Sequence, residues 1–551
     1  MSKNQLGGDS VGEKKIKAIS QDVFGMQKHS KRLHFILAVC AALLPFAACA
    51  ATSLGGGVFQ SDGSLSDTQT AVNDAPDGGT VIIRNGTFTW NGQLHVNGGT
   101  YSDGSPKGKS VNLFGQSLNG VTIINDWKTT TAFTNQQLID VQPSPNFTLE
   151  IKWLNFQEGP LLSGVGSAGN MHILAGPGGG WGISAQNKGK VILLHDCTFS
   201  NNGNMSYQMR FLTPMGGVVW NCTFNSTGSG SADGISLQGG DGYKSPSTMG
   251  ALDTTGLNNF YVEDCIFNGW NNGFAMDISD GARAVVRHCT FNASLLGTHG
   301  QESTPYGYRH MEVYNCTFQN AGRVAPYVWM SIRGGTFVVY NNNFGKLPTG
   351  TPNNIVMECL ALQRKATYLS CPTRYPIPRQ IGQGWSGGPG SYSYPQYPAD
   401  GTGYILDPAY FWNNTIAGAN LYGFENSVDT CGNGLHTSDF ILRNRDFYSG
   451  TTPKPGYTAF AYPHPLRTGR STTTISVPNV VVPNVVGMTE ADAGTAIINS
   501  GLVVGTDVFQ SGGTAGNVVS QSPAAGTTVA PGSTVTETIS IDFGQSAGGR
   551  R

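Results

Sequence analysis

The sequence predicts an all-β solenoid, built from stacked coils of short strands, followed by a small and different module at the C-terminal end. Two observations indicate the solenoid. Phenylalanine recurs at spacings near 25 or 43 residues, two residues after a position that is usually cysteine; a period near 25 is typical of solenoids. Glycine makes up 76 of 551 residues, about twice the ordinary share of roughly 7%, which argues against helix bundles and coiled coils.

Composition and charge narrow the range of partners. Hydrophobic residues form 39% of the chain, enough for a large core, and only 12% of residues are charged, which argues against disorder throughout. The 33 basic and 34 acidic residues nearly cancel, but seven basic residues fall within 1–33. The rest of the chain is mildly acidic and has no basic run. We therefore expect neither nucleic acid nor an anionic membrane as a partner.

Residues 1–50 have the pattern of a secretory signal peptide. A basic stretch, KHSKR, precedes an apolar run from Phe35 to Ala48, and the small residues at 48–50 suit a signal peptidase. The run is shorter than the ~20 apolar residues of a membrane span, and no other stretch qualifies as a transmembrane span. We expect a secreted or cell-surface bacterial protein. FAAC at 46–49 loosely resembles a lipobox, which makes Cys49 a candidate lipidation site.

Each repeat has the same inner and corner positions. The residue three before the cysteine position is a branched apolar residue, so this position, the cysteine and the phenylalanine predict three inward columns. The phenylalanines are Phe156, Phe199, Phe224, Phe267, Phe291, Phe318 and Phe344, and the cysteines are Cys197, Cys222, Cys265, Cys289 and Cys316. We interpret the cysteines as small buried core residues rather than as disulfides or metal ligands. The residue before the cysteine position is usually Asn or Asp, which suits a tight corner, and His288 takes that place in one repeat.

The residue two before the cysteine position must point outward, because side chains alternate along a strand. This outward row is charged and aromatic: Lys152, His195, Trp220, Glu263, Arg287, Tyr314 and Tyr340. Adjacent coils of a β-helix lie about 4.8 Å apart, so Glu263, Arg287 and Tyr314 become neighbours. The row is either a solvated face with a Glu263–Arg287 ion pair or a surface that binds a ligand.

The opening of the repeat region carries TQTAV at 68–72, DAPDGGTVII at 74–83, NGTF at 85–88 and VNLFGQ at 111–116. It resembles the right-handed parallel β-helix proteins of the pectin-lyase-like superfamily, in which a short capping helix precedes the first coils. The resemblance covers about residues 55–350, and we assign 51–470 to this domain, with wrapping loops at its C-terminal end. The superfamily includes lyases, hydrolases, epimerases and binding proteins, so the resemblance implies the fold more than the function.

The C-terminal part of the chain has a different character. After a linker at 471–482, PNVVGM at 483–488 and SQSPAAG at 520–526 flank an Ala-rich run with the look of a helix. These motifs resemble a single PASTA domain, a small α+β fold that we place at 483–542, before a tail at 543–551. The family occurs in proteins that touch bacterial cell walls, which implies peptidoglycan as a partner of this module.

Functional side chains are densest between residues 277 and 333. The predicted catalytic residues are His299, Glu302, Arg287, Arg309 and Arg333, and the predicted substrate-binding residues are Trp220, Glu263, Tyr314, Tyr340 and Trp329. His299 and Glu302 lie in a glycine-containing turn, where loops often carry function. A lyase needs a base and cationic help for the developing enolate, and the arginines suit a uronic acid carboxylate. We therefore expect a lyase that acts on an acidic polysaccharide.

Two other functions stay open. A glycoside hydrolase of the same fold needs two carboxylic groups; SADGI at 231–235 faintly resembles a polygalacturonase element, but no adjacent pair of aspartates follows. A non-catalytic protein that binds polysaccharide at the cell surface or wall is the other alternative. The sequence establishes no cofactor. Pectate lyases commonly hold calcium between acids, and by that resemblance Asp277 and Asp280 are the candidate calcium ligands.

Overall fold

The computed structural model describes most of the chain after residue 50. The described residues are 51–99, 107–126, 136–159, 170–175, 190–201, 207–212, 215–227, 233–238, 259–270, 273–279, 281–298, 308–323, 328–332, 334–347, 357–359, 381–385, 404–417, 423–424, 441–470, 479–529 and 533–541. The predicted signal peptide with Cys49, and the tail at 543–551, lie outside these residues.

Three long sheets of parallel strands surround one hydrophobic core. Each turn of the chain contributes a strand to sheet 1, then to sheet 2, then to sheet 3, and ten turns of the described ranges contribute to all three. Every strand of sheets 2 and 3 pairs in parallel with its equivalents on the neighbouring turns. The expected parallel β-helix is therefore confirmed.

The strands of the three sheets have the following bounds. Sheet 1 contains Thr52–Gly55, Val58–Ser61, Thr80–Ile83, Asn112–Gly115, Leu149–Lys152, Val191–His195, Gly216–Trp220, Phe260–Glu263, Arg283–Arg287, His310–Tyr314, Thr336–Tyr340, Ala409–Trp412 and Phe447–Gly450. Sheet 2 contains Gly86–Trp90, Val121–Asn125, Leu154–Glu158, Thr198–Ser200, Thr223–Asn225, Ile266–Asn268, Thr290–Asn292, Thr317–Gln319, Asn343–Phe344 and Thr415–Ile416. Sheet 3 contains Leu94–Val96, Gln136–Val141, Asn170–Ala175, Tyr207–Leu212, Asp233–Gln238, Phe274–Ser279, Leu295–Thr298, Met330–Ile332, Met357–Cys359 and Gly423–Phe424. A separate antiparallel pair joins Gln383–Trp385 to Tyr404–Leu406.

A short helix, Leu65–Asp74, follows the first two strands of sheet 1 and precedes the ten turns that contribute to all three sheets, as the resemblance implies. Ser64 caps its N-terminus, since the Ser64 hydroxyl accepts a hydrogen bond from the Asp67 backbone N–H. Ala71 and Val72 on its inner face are buried in the same core as the coils. The helix therefore contributes apolar side chains to the N-terminal end of the solenoid core.

The corner between sheets 1 and 2 depends on one residue in a left-handed conformation. The corner residues Trp153, Asp196, Asn221, Asp264, His288, Asn315 and Asn341 all have φ between 51° and 61°. Asn and Asp tolerate this region better than other residues with a Cβ. At these seven positions the corner takes one or two residues, such as His288 and Cys289 between the strands of one turn, so sheets 1 and 2 meet there without a loop.

The inward columns have the predicted register. The seven phenylalanine rings stack in sequence order with centroid distances of 4.6–5.1 Å. The five cysteines are buried and unpaired, and burial raises the pKa of the Cys222, Cys265 and Cys316 thiols. Asn342 continues the cysteine column, donating from its side-chain amide to the Val313 carbonyl at 2.9 Å. A stacked, apolar interior thus runs through the coils.

The C-terminal module is a small α+β unit. It contains the helix Glu490–Asn499 and the strands Val480–Val481, Val503–Val504, Val508–Ser511, Val518–Ser522, Thr528–Val529 and Thr534–Ile541. Ala493 and Ile497 of the helix share a core with Val518, Val535 and Ile539 of the strands. None of the helices in the described part of the chain is long and apolar enough to span a membrane.

Candidate functional site

The predicted outward row of sheet 1 exists, but it is closed to solvent. Trp220, Glu263, Arg287, Tyr314 and Tyr340 occupy equivalent positions on five successive strands. None of these five residues is more than 7% exposed, and Glu263 and Arg287 are 0% exposed. The expectation of an open substrate-binding row is therefore corrected, because another part of the chain covers it.

Residues 451–470, which we call the strap, cover this face. Tyr457 donates to Glu312 at 2.6 Å, and Arg287 donates to the Ala461 carbonyl at 2.7 Å. Farther along the strap, Arg467 donates to Glu263 and Asp264 at 2.7 and 2.6 Å, and Arg470 bonds Glu150. These partners lie on progressively earlier coils, so the strap runs back across sheet 1 toward the N-terminal end.

Glu263 and Arg287 form the predicted ion pair beneath the strap. Arg287 Nε and Nη2 both donate to Glu263 Oε1, at 2.8 and 2.5 Å. Arg287 Nη1 donates to the Tyr314 hydroxyl and to the Phe460 carbonyl, each at 2.7 Å. The polar atoms of the pair are thus hydrogen-bonded where the strap meets the coils. The alternative of a solvated face is corrected, because the strap excludes solvent from the pair.

Apolar and aromatic contacts complete the interface between the strap and sheet 1. Phe460 and Leu466 of the strap pack against a cluster of outward sheet 1 residues that includes Tyr261 and Val285. The Tyr462 ring stacks on His288 with centroids 3.7 Å apart, and Arg467 lies over the Trp220 ring at 5.5 Å. The outer face of sheet 1 therefore functions as a second core.

Arg309 and Trp329 lie away from this row. The Arg309 backbone N–H bonds the Ala282 carbonyl. Arg309 immediately precedes the strand His310–Tyr314, whereas Arg287 pairs with Tyr314 at the other end of that strand. Trp329 is fully buried, contacts the Phe318 ring, and donates from Nε1 to the Gly345 carbonyl at 2.9 Å. The prediction that Trp329 binds substrate is corrected, because it belongs to the interior core.

Four predicted site residues lie outside the described residues: His299, Glu302, Arg333 and Asp280. Three of them come directly after strands of sheet 3 in the sequence, since these strands end at Ser279, Thr298 and Ile332. Asp277 is described and lies on a sheet 3 strand. Most of the remaining predicted site residues therefore belong to sheet 3 strands or directly follow them in the sequence.

Sheet 3 carries a polar row on its outer face. The row joins equivalent positions of nine strands: His95, Asp140, Leu174, Arg210, Ser236, Asp277, Gly297, Ser331 and Glu358. The residue before each of the six central positions from Leu174 to Ser331 is an apolar core residue, such as Met209 and Met276. Because strand side chains alternate, the side chains of Arg210, Ser236, Asp277 and Ser331 point away from the core, while Leu174 and Glu358 are placed in the row by backbone register alone. Sequence reasoning selected only Asp277 of this row.

Three charged members of the row, Asp140, Arg210 and Asp277, are largely buried and interact with neighbours. Arg210 and Asp277 are each 4% exposed and Asp140 is 8% exposed. Arg210 bonds Gln238, two residues beyond the row on the next strand, and its guanidinium lies 5.4 Å from the Tyr207 ring centroid. Asp140 accepts from Gln142 at 3.1 Å and lies 3.6 Å from His95. Gly297 leaves room for an aromatic side chain, since a Cβ there would lie 2.1 Å from the Phe274 ring.

The long connections of the solenoid all adjoin sheet 3. Sheet 3 strands are linked to their neighbours in the chain by segments such as 159–169, 176–190, 239–259 and 299–309, whereas one or two residues join sheets 1 and 2 in every turn except the second, which has the connection 116–120. Loops that a rigid scaffold positions often carry binding and catalytic residues. Along the chain, the strands that carry the polar row are thus preceded or followed by the longest connections of the domain.

Among the described residues, no three His, Cys, Asp or Glu side chains meet in an arrangement that could hold a metal ion. Asp277 has Ser236 and Gly297 as its neighbours in register, and Asp280 is outside the described part. Calcium bound by Asp277 and Asp280 stays a prediction.

Comparisons with known proteins identify the C-terminal module. The model of the PASTA domain family matches residues 480–540. The C-terminal module is a PASTA domain. Its matched bounds differ by a few residues from those predicted. The sequence comparison with curated proteins gave no match.

Solved structures similar to this chain are parallel β-helices of low sequence identity. An alginate lyase from Paenibacillus is 9% identical, with 68% of this chain and 99% of that chain covered and a TM-score of 0.37. The mannuronan C-5 epimerase A-module of Azotobacter vinelandii is 12% identical, with 70% and 95% covered and a TM-score of 0.33. A family 6 polysaccharide lyase, an alginate lyase, is 12% identical, with 83% and 65% covered and a TM-score of 0.33. At these identities and scores we draw nothing from them about substrate or reaction.

Proposed function

We propose that the protein is an exported, carbohydrate-active β-helix protein that binds an extended acidic polysaccharide along the outer face of sheet 3 and cleaves it as a lyase. The observation that supports this proposal is the polar row with Arg210 near its centre, on strands that the long connections precede or follow in the chain. The outer face of sheet 1 is unsuitable, because strap residues bond its charged side chains Glu263 and Arg287. The two faces differ in these bonds and not in exposure, since Arg210 and Asp277 of sheet 3 are themselves only 4% exposed.

The shape of the row suits a linear polymer. Successive members are about 4.8 Å apart, the spacing of parallel strands, which is comparable to the length of a sugar unit. A row that crosses nine strands offers many equivalent contacts along one direction. A long chain of sugars, rather than a small molecule in a closed pocket, is the ligand that fits this arrangement.

Arg210 is the member of the row that suits an acidic sugar and an elimination reaction, although the row also carries the carboxylates Asp140 and Asp277. An arginine can bind a uronic acid carboxylate through two parallel hydrogen bonds and can stabilise the negative charge that develops when a neighbouring proton is removed. We assign this role to Arg210. Arg309 and Arg333 keep the same role as predictions from the sequence, and His299 or Glu302 stays the predicted base.

The same row does not suit a glycoside hydrolase. Such enzymes place two carboxylic groups roughly 5–10 Å apart. Asp140 and Asp277 are separated by three intervening strands, which at the parallel-strand spacing is about 19 Å. For Asp140 and Asp277, the two row carboxylates whose side chains the structure describes, the spacing therefore argues against the paired carboxylates of a glycoside hydrolase.

We propose that the PASTA domain attaches the protein to cell wall material, with peptidoglycan as its partner. The exposed apolar side chains Val508 and Phe509, 51% and 56% exposed, offer a surface for a glycan or peptide. Export to the cell surface, by the predicted signal peptide, places both domains where such polymers occur.

A screen of purified residues 51–551 on neutral and acidic polysaccharides tests the proposed activity. Ultraviolet absorbance detects unsaturated products, and a second assay counts new reducing ends. The proposal expects both signals on an acidic polymer and neither on a neutral one. Reducing ends without absorbance would indicate a hydrolase, and binding without either product would indicate a non-catalytic protein; both results contradict the lyase.

A further inference from the structure

The PASTA domain contains a carboxylate that is buried without a partner. Glu537 lies in the strand Thr534–Ile541 between Val535 and Ile539, whose side chains belong to the domain core. Glu537 is 0% exposed, and within the part of the chain that the structure describes neither of its carboxylate oxygens has a hydrogen-bond partner. Burial of an unpaired carboxylate is strongly unfavourable, so the position needs a physical explanation.

A second carboxylate lies beside it. Val508 pairs with Thr538 in parallel strands, so Asp507 stands level with Glu537 one position earlier. Asp507 Oδ1 is also buried and without a hydrogen-bond partner. Like charges directly opposite each other on neighbouring strands are destabilising. Two adjacent carboxylates thus have oxygen atoms that no protein donor satisfies.

The other elements around Glu537 supply no positive charge. The helix Glu490–Asn499 contributes Glu490 and Asp492 in its first turn. Gln521, which pairs with Glu537 on the other neighbouring strand, uses its amide for Pro483, Val485 and Pro523. Residues 480–540 contain four acidic residues, Glu490, Asp492, Asp507 and Glu537, and no Lys, Arg or His. Compensation must therefore come from outside the domain's own side chains.

We propose that Glu537 and Asp507 bind a hard divalent metal cation of the calcium class inside the PASTA domain. Such cations prefer oxygen ligands, carboxylates above all, and complete their shells with backbone oxygens and water. The cation would turn the repulsion between two buried carboxylates into a cross-link between the strands that carry them. The other compensation is a proton; burial and the charges of Asp507 and Glu490 raise the pKa of Glu537.

Calorimetric titration of metal-free full-length protein with calcium chloride tests the site. The variants are Glu537→Gln and Asp507→Asn, which keep side-chain size and remove the charge. Asp492→Asn is the matched control, because Asp492 is an exposed acid of the same domain that bonds Thr489. We expect the wild type and Asp492→Asn to bind one more equivalent of calcium than either site variant.

Melting of the same four proteins with and without calcium gives a second readout. The proposal expects calcium to raise the melting temperature of the PASTA transition in the wild type and in Asp492→Asn, and to leave Glu537→Gln unchanged. Equal calcium binding by the wild type and Glu537→Gln would overturn the site. So would a wild-type domain that loses stability as the pH rises toward 8 and does not respond to calcium, since a proton would then be the compensation.

Discussion

Glu263 and Arg287 show how a single buried pair can hold two parts of the chain together. Arg287 bonds Glu263, Tyr314 and two strap carbonyls, while Glu263 also accepts from Arg467 of the strap. A buried ion pair adds little stability when its partners are compared with apolar residues, but the loss of one partner is costly. The energetic role of each residue therefore depends on the presence of the other.

Arg287→Met should lower the free energy of unfolding of the β-helix domain by about 3 kcal/mol, the lower end of the cost of breaking a buried pair. The lower end applies because Arg467 still bonds Glu263 in this variant. The double variant Glu263→Gln, Arg287→Met should lose less than the two single variants combined. Denaturant unfolding measures all three; a wild-type midpoint for Arg287→Met would contradict the role assigned to the pair.

The low pKa of Glu150 predicts that this residue contributes to the loss of fold stability at low pH. Burial alone raises its pKa, but the hydrogen bond from His195 and the charges of Lys152 and Arg470 outweigh burial and lower the pKa to about 2, from 4.5. A lowered carboxyl pKa stabilises the fold above pH 4.5, and this contribution is lost as the pH falls toward 2. The difference in melting temperature between wild type and Glu150→Gln should therefore shrink from pH 6 to pH 2.5. A constant difference would refute this assignment.

At the scale of elements, the strap is the feature that the sequence indicated least well. Wrapping loops were expected at the end of the domain, but the strap has no 25-residue period and contacts coils more than 170 residues away in sequence, as Arg287 and Ala461 do. The coils themselves were predictable, because valine, cysteine and phenylalanine recur at fixed offsets from each corner. A periodic element reveals its register in its own sequence, whereas a strap takes its register from a distant partner.

Two shortened proteins test the strap as an element. A chain of residues 51–470 keeps the strap and removes the PASTA domain, and a chain of residues 51–450 removes both. We expect the longer chain to melt close to the β-helix transition of the full protein and the shorter chain to melt at least several degrees lower, because it exposes Glu263, Arg287 and the apolar residues around them. Equal melting temperatures of the two chains would show that the strap adds no stability.

At the scale of the whole molecule, the three faces of the β-helix differ in what they can do. Sheet 1 is covered by the strap, and sheet 2 presents an uncharged row of Asn155, Thr198, Thr223, Ile266, Thr290, Thr317, Asn343 and Thr415. Sheet 3 combines charged side chains with the long connections. This last face is the one that we propose for the polysaccharide.

The alignment of the residues in the sheet 3 row could not be derived from the sequence, although the β-helix fold could. The connections that precede the sheet 3 strands vary in length, so the phenylalanine period does not align Asp140, Arg210 and Asp277 with one another. The alternation in YQMRFL at 207–212 was a local signal that Arg210 points away from the core. The aromatic and charged residues of sheet 1 do follow the phenylalanine period. The sequence therefore predicts a binding site on the face that the strap covers.

The most direct test of the account is the activity of Arg210→Gln on the acidic polysaccharide found by the screen, measured as unsaturated product per folded molecule. Arg84→Gln is the matched control, since Arg84 lies between the sheet 1 and sheet 2 strands of the first turn. Removal of one charge-stabilising donor typically costs about 10²–10³-fold in rate, so we predict a loss of at least about 10²-fold for Arg210→Gln and near wild-type activity for Arg84→Gln. Wild-type activity of folded Arg210→Gln would contradict the central claim that the outer face of sheet 3 is the functional site.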